Sequence, residues 1–238
     1  FTFNYDLPSD VNSDVKLSLY NSAGLLLSQF TTGSDKSYTV GVAAAGTYYI
    51  SLANVSTYYF NSGQYGLTTS HASTTLTSTF EAESNNTLAL ANAVALGAPI
   101  TGQLSSSSDL DYYKVAVSSG GNLTFSFDAP TNSSYDYFKL SLYNSAGQLL
   151  SQFKTGSDNS YTVGVAAADT YYIAVASGSG FSSDQYVLTT SHIANSPTQI
   201  FEYESNNTTA SANAVELGQT VVGQFSSTSD LDYYKFAV

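Results

Sequence analysis

The residue types that could do chemistry are gathered in two short acidic words, each used twice. Glu81, Glu83 and Asn85 make the first, in "FEAESNN", and Asp109 and Asp111 the second, in "SSDLDYY"; both return, as Glu202, Glu204 and Asn206 and as Asp230 and Asp232. In an extended chain the side chains at i and i+2 share a face, so each pair aims two carboxylates at one point. Hard cations such as calcium take about six to eight oxygens, and carboxylates, amide oxygens and backbone carbonyls are what these segments offer. The loops lack the Asp-x-Asp-x-Asp-Gly order of an EF-hand. The competing reading is a solvated acidic edge that discourages pairing between strands of different molecules.

Two histidines, His71 and His192, each follow "TTS" at the same place in a repeated segment. A catalytic triad needs a nucleophile beside an oriented base, yet no G-x-S-x-G elbow occurs and the serines are spread like turn residues. Paired carboxylates acting as a glycosidase need a cleft, which a duplicated strand-rich pattern does not suggest. The chain is therefore read as no enzyme, with no catalytic and no cofactor-binding residue.

The surrounding composition points the same way. Eighteen Asp and Glu stand against six Lys and no Arg, a net charge of -12, so nucleic acid and anionic lipid are poor partners and cations good ones. There is no cysteine, hence no disulfide and no thiolate metal site. Twenty Tyr and 13 Phe among Ser, Thr, Asn and Gly suit strands and turns, an all-β extracellular type. No apolar window approaches the roughly 18 residues of a membrane span, so no membrane insertion is expected. "FTFNYDLP" lacks the features of a signal peptide, so any export signal is expected outside this chain.

A repeat sets the organisation. Residues 80–117 and 201–238 align with 27 of 38 positions identical, and "KLSLYNSAGLLLSQF" at 16–30 returns at 139–153 with one change. The period is about 121 residues. One whole copy spans 80–200; 1–79 is the back part of a preceding copy, lacking its opening strands, and 201–238 the front part of a following one. The two fragments are complementary, separated only by the counterpart of 118–122. Length differences fall in polar loops, "SDVNSD" against "TNSSYD" and "NVSTYYFNSG" against "SGSGFSSD", where they cost little.

Strict alternation in "LTFSFDAP", with Leu123, Phe125 and Phe127 on one side, is a strand with one face on a core. Further strands fit "YFKLSLYN", "QLLSQFKT", "SYTVGVA", "TYYIAVAS" and "DQYVLTTS", bounded by turn residues. About eight short strands per copy is the spacing of a β-sandwich or jelly roll. "TLALANAVALG" allows a helical turn or an extended segment. The tyrosines read mainly as ordinary strand residues, with the loop Tyr58 to Phe60 the best exposed aromatic candidate. Asn54, Asn122 and Asn132 begin glycosylation sequons.

The order "FEAESNN", "ANAVALG", "GQLSSSSDLDYYKVAV", "LSLYNSAG", "AAADTYYIAV", "QYVLTTS" resembles the bacterial pre-peptidase C-terminal (PPC) domain, an appendage of secreted proteases and other exported proteins. More distantly it resembles the collagen-binding domains of clostridial collagenases. The resemblance covers 80–200 and both flanks. It implies a β-sandwich, secretion, and a structural calcium site where a Glu-x-Glu-x-Asn segment meets an acidic loop. Carried over, the ligands are Glu81, Glu83, Asn85, Asp109 and Asp111, then Glu202, Glu204, Asn206, Asp230 and Asp232. The relatives space the loop acids more widely than the Asp-x-Asp found here.

The expectation is therefore a tandem β-sandwich, jelly-roll-like, that is secreted or carried on the cell surface. Its first functional reading is a structural or adhesive array, or a filament subunit associating head to tail by donor-strand completion, with calcium at repeat junctions. The alternative is a non-catalytic accessory module of a secreted bacterial protease or other hydrolase that binds collagen, polysaccharide or another matrix. A third is that the same strands are supplied covalently along one longer chain.

Overall fold

The computed structural model of the chain describes residues 1–7, 14–55, 63–73, 80–194 and 199–238. These residues are all-β, with no α-helix, and their strands fall in three groups along the chain. The first holds β1 (Thr2–Asp6), β2 (Val15–Tyr20), β3 (Leu26–Thr32), β4 (Lys36–Thr39), β5 (Tyr49–Asn54) and β6 (Gly66–Ser70), in sheets β4-β1-β6 and β3-β2-β5. The middle group holds β7 (Asn92–Ala93), β8 (Pro99–Gly102), β9 (Leu110–Val117), β10 (Gly121–Asp128), β11 (Phe138–Tyr143), β12 (Leu149–Thr155), β13 (Asn159–Val165), β14 (Asp169–Ser177) and β15 (Tyr186–Ala194). They make a sandwich of a four-stranded sheet, β13-β10-β15-β8, and a five-stranded one, β12-β11-β14-β9-β7. The last group holds β16 (Gln199–Phe201), β17 (Asn213–Ala214), β18 (Thr220–Val222) and β19 (Tyr234–Lys235), paired in parallel as β16-β18 and β17-β19.

Alternation decides which face of each strand is dry. In β10, Leu123, Phe125 and Phe127 are buried while Thr124 and Ser126 turn to the other face, so every second residue enters the core. Phe127, Phe138 and Tyr186 meet there with ring centroids 5.0 to 5.7 Å apart, a spacing at which aromatic edges and faces attract. "TLALANAVALG" resolves into both of its readings: a 3-10 turn at Leu88–Leu90, then extended β7 lying parallel to β9.

Two further strands, β8 and β9, close the middle sandwich by pairing with β15 and β14. Neither flanking group has this closure. In the first, Tyr65, at the position of Tyr186, is 54% exposed, against 0% for Tyr186. In the last, Phe225 and Phe236, at the positions of buried Leu104 and Val115, are 70% and 64% exposed. The loop Tyr58 to Phe60 lies outside the described residues.

Candidate metal centre

The cluster forms where two backbone segments cross at the edge of β8 and β9. Phe80 bridges Thr101, and the Glu81 amide donates to the Thr101 carbonyl, which fixes the "EAESN" segment beside β8. Asn92 holds the same segment from outside, exchanging hydrogen bonds of 2.7 and 3.1 Å with the Ala82 backbone. The Tyr112 amide donates to the Asn85 carbonyl, so β9 brings Asp111 underneath. As a result Glu81, Glu83 and Asp111 each place a carboxylate oxygen within 4.8 Å of the others. Glu202, Glu204 and Asp232 repeat the arrangement, and Asn213 stands for Asn92.

Five of the eight side-chain polar atoms of Glu81, Glu83, Asn85 and Asp111 are hydrogen-bonded. Glu81 accepts from the Gln103 amide, from the Tyr113 hydroxyl at 2.5 Å and from the Asn85 side chain at 3.2 Å. Asp111 accepts from the Tyr186 hydroxyl at 2.6 Å, and Glu83 from the Asn85 amide at 3.1 Å. With the carboxylates ionised, the other three have no partner among the described residues: Glu83 Oε1, Asn85 Oδ1 and Asp111 Oδ1 are buried and unbonded, as are Glu204 Oε1, Asn206 Oδ1 and Asp232 Oδ1; a retained proton would let Glu83 and Asp111 bond to each other. Buried oxygens left bare cost about 1–3 kcal/mol each, more when charged.

Without a cation such a cluster holds its protons. Burial, then the charges of Glu81 and Asp109, lift Glu83 to about 9; burial lifts Glu81 to about 8 against the opposing hydrogen bond from Tyr113. Asp111 is raised well above the ordinary range by burial and by Glu81, Asp109 and Glu83. No cationic side chain appears among these influences. An all-oxygen donor set of carboxylates and one amide, dry and unpaired, fits a hard divalent ion such as calcium.

Asp109 and Asp230 stand apart from the converging oxygens. Asp109 spends both of its own on its loop, accepting from the Ser105 amide and hydroxyl at 2.7 Å and the Leu110 amide at 3.0 Å. Asp230 does the same with the Ser226 and Leu231 amides. Their role in the geometry is to shape the turn that presents Asp111 and Asp232. His192 Nε2 is buried without a partner in β15, packed against Gly121 and with no hydroxyl or carboxylate hydrogen-bonded to it.

Each cluster lies on a seam with the preceding strands. Gln103, whose amide binds Glu81, sends its side chain to the Ser28 hydroxyl, the Gln29 carbonyl and the Ser183 carbonyl. Gln224 binds Glu202 and is reached by Ser151 at 3.1 Å in the same way. The backbones meet at Gly41 and Gly164, where a Cβ would fall 2.0 and 2.2 Å from the carbonyl oxygens of Glu81 and Glu202. Ser28, Gly41, Gln103, Tyr113 and Tyr186 thus belong to the site, as does Gln185, which lines the same seam, although their types alone do not announce it. The signal available was positional: the "GQ" before each serine run recurs unchanged.

No family model matches the chain. No curated protein matches it either. Among solved structures, the chain is similar to the pre-peptidase C-terminal domain of a collagenase from Bacillus anthracis, the family its sequence words resemble, at 20% identity and a TM-score of 0.35, covering 42% of this chain and 93% of that one. It is also similar to PliG of Aeromonas hydrophila, a periplasmic inhibitor of g-type lysozyme, at 14% identity and a TM-score of 0.33, covering 42% and 96%. Among the described residues no helix is long and apolar enough to cross a membrane.

Proposed function

We propose that the chain is a non-catalytic, exported accessory module in which β-sandwich copies, parts of them at 1–79, 80–200 and 201–238, follow head to tail with a calcium ion cementing each seam. The supporting observation is that in both copies three carboxylates converge within 4.8 Å at the seam, and that two of them and the neighbouring asparagine each keep a buried oxygen without a hydrogen-bond donor. The ion would neutralise Glu81, Glu83 and Asp111, and through the Glu81 to Gln103 hydrogen bond hold the side chain that grips Ser28 and Gln29. The acidic surface suits export and a cation-rich medium, and the resemblance to the PPC domain suits an appendage on a secreted hydrolase. Differential scanning calorimetry of the intact chain in calcium and in EGTA tests this: calcium should raise the melting temperature, and identical curves would refute it.

A second reading is that the complementary flanking groups complete each other between molecules. β5 and β6 lack the partners that β14 and β15 find in β9 and β8, while β18 and β19 carry the matching strands without their partners. A neighbouring copy that inserts one pair against the other would bury Tyr65, Phe225 and Phe236 and build a head-to-tail fibre. Electron microscopy and light scattering separate the outcomes, a regular filament supporting strand exchange and a monodisperse monomer ruling it out.

A further inference from the structure

The middle sandwich carries a second concave site on the loops at its seam-facing end, linked to the carboxylate cluster through the Ser183 carbonyl, which accepts from Gln103. Loops 131–137 and 178–184 are laced into one floor: the Gly178 amide donates to the Tyr137 carbonyl at 2.8 Å and the Ser179 amide to the Asp136 carbonyl at 2.7 Å. The Tyr135 hydroxyl donates to the Ser179 carbonyl at 2.9 Å, and its ring lies edge-on to Tyr137. Above this floor Tyr137, Phe181, Thr131, Ser182, Ser183 and Asp184 line a hollow of about 320 Å³. That is the low end of the range for small-molecule sites. Tyr137 leans on the core while Phe181 is 38% exposed, so one aromatic wall is anchored and the other stands free.

The lining selects a ligand class. Tyr137 and Phe181 bring aromatic rings to the lining, whereas the Asp184 carboxylate and the Ser182 and Thr131 hydroxyls can accept or donate hydrogen bonds there. Among the described residues no lysine lines the hollow, and the chain carries a net charge of -12, which disfavours phosphate, sulfate and uronate groups. A molecule with an apolar ring face, a dense belt of hydroxyls and no negative charge is a neutral pyranose.

We propose that this hollow binds a neutral polysaccharide, with one pyranose ring seated against Tyr137 and Phe181 and its hydroxyls met by Asp184 and Ser182. The proposal rests on the reading of the chain as an accessory module. It is tested by calorimetric titration of the intact chain with cellohexaose and with chitohexaose, in calcium and in EGTA. At least one hexamer should bind, Phe181→Ala should weaken it about tenfold, Asp184→Asn by less, and heparin should not compete. Both substituted side chains are on the surface, and an unchanged melting temperature shows that the variants fold. Absence of binding to both hexamers, or equal binding by Phe181→Ala, overturns the site. Retention on gelatin with no hexamer bound would also overturn it, while leaving the accessory-module reading standing.

Discussion

The two carboxylate clusters are built from the same words, but only the one at Glu81 is roofed. Over it lie β14 and β15: Tyr186 donates to Asp111, and Gln185 reaches across the seam to the Thr39 carbonyl at 2.7 Å. At Glu202 no described residue takes these places. Asp111 is fully buried and Asp232 only partly; Glu83 is lifted to about 9 but Glu204 to about 7, and Asp232 to about 6, each chiefly by burial. The seam cavity measures about 10 Å³ at the first cluster and about 250 Å³ at the second. The front words of a copy thus supply the oxygens, and the back words supply the dryness that leaves those oxygens in need of a cation.

The comparison can be broken most forcefully at the ligands. At calcium a thousandfold above its dissociation constant, binding adds about 4 kcal/mol to stability. Asp111→Asn should abolish most of that gain in scanning calorimetry, and Asp232→Asn less than half of it. In EGTA the same Asp111→Asn change should leave the protein as stable or more so at pH 8, because it removes a buried acid that has no cationic partner.

Acidity gives the next largest effect. In the unfolded chain Glu81 and Glu83 titrate near 4.5, in the folded metal-free chain at about 8 and about 9. Between those values the unfolded state has released protons that the folded state keeps, so stability is full below pH 4.5 and falls as pH rises to about 9. Urea denaturation in EGTA should show a loss of at least about 3 kcal/mol over that window, which calcium should reverse at the alkaline end. The contribution from Glu204 should be spent by pH 7.

The seam and the roof carry smaller effects. Gly41→Ala drives a Cβ into the Glu81 carbonyl and should cost about 1–3 kcal/mol in denaturant titration; Gly164→Ala should cost less, because the roomier second seam can yield. Tyr186→Phe should cost about 1 kcal/mol and bring the first cluster closer to the second in its calcium affinity.

Much of this was legible in the sequence, unevenly. Period-two alternation marks β10 because each of its residues has one dry or one wet face, and the repeat carries that reading to β1. The acidic words announce their chemistry because carboxylates two apart in extended chain share a face. Asp109 and Asp111 look equivalent in that pattern. Serine donors in the preceding turn take up Asp109, a choice made by the turn's hydrogen bonds and invisible in the spacing. The seam was silent for a related reason: Gln103 and Gly41 matter through what lies opposite them, Ser28 about 75 residues away along the chain and Glu81 about 40.

The most direct test of the account is a calcium titration of the intact chain by isothermal calorimetry, repeated with Glu83→Gln. Two ions per chain, one tight and one weaker, with the tight one lost in the variant, is the predicted result. No heat of binding, or two equal sites that ignore the substitution, would contradict it.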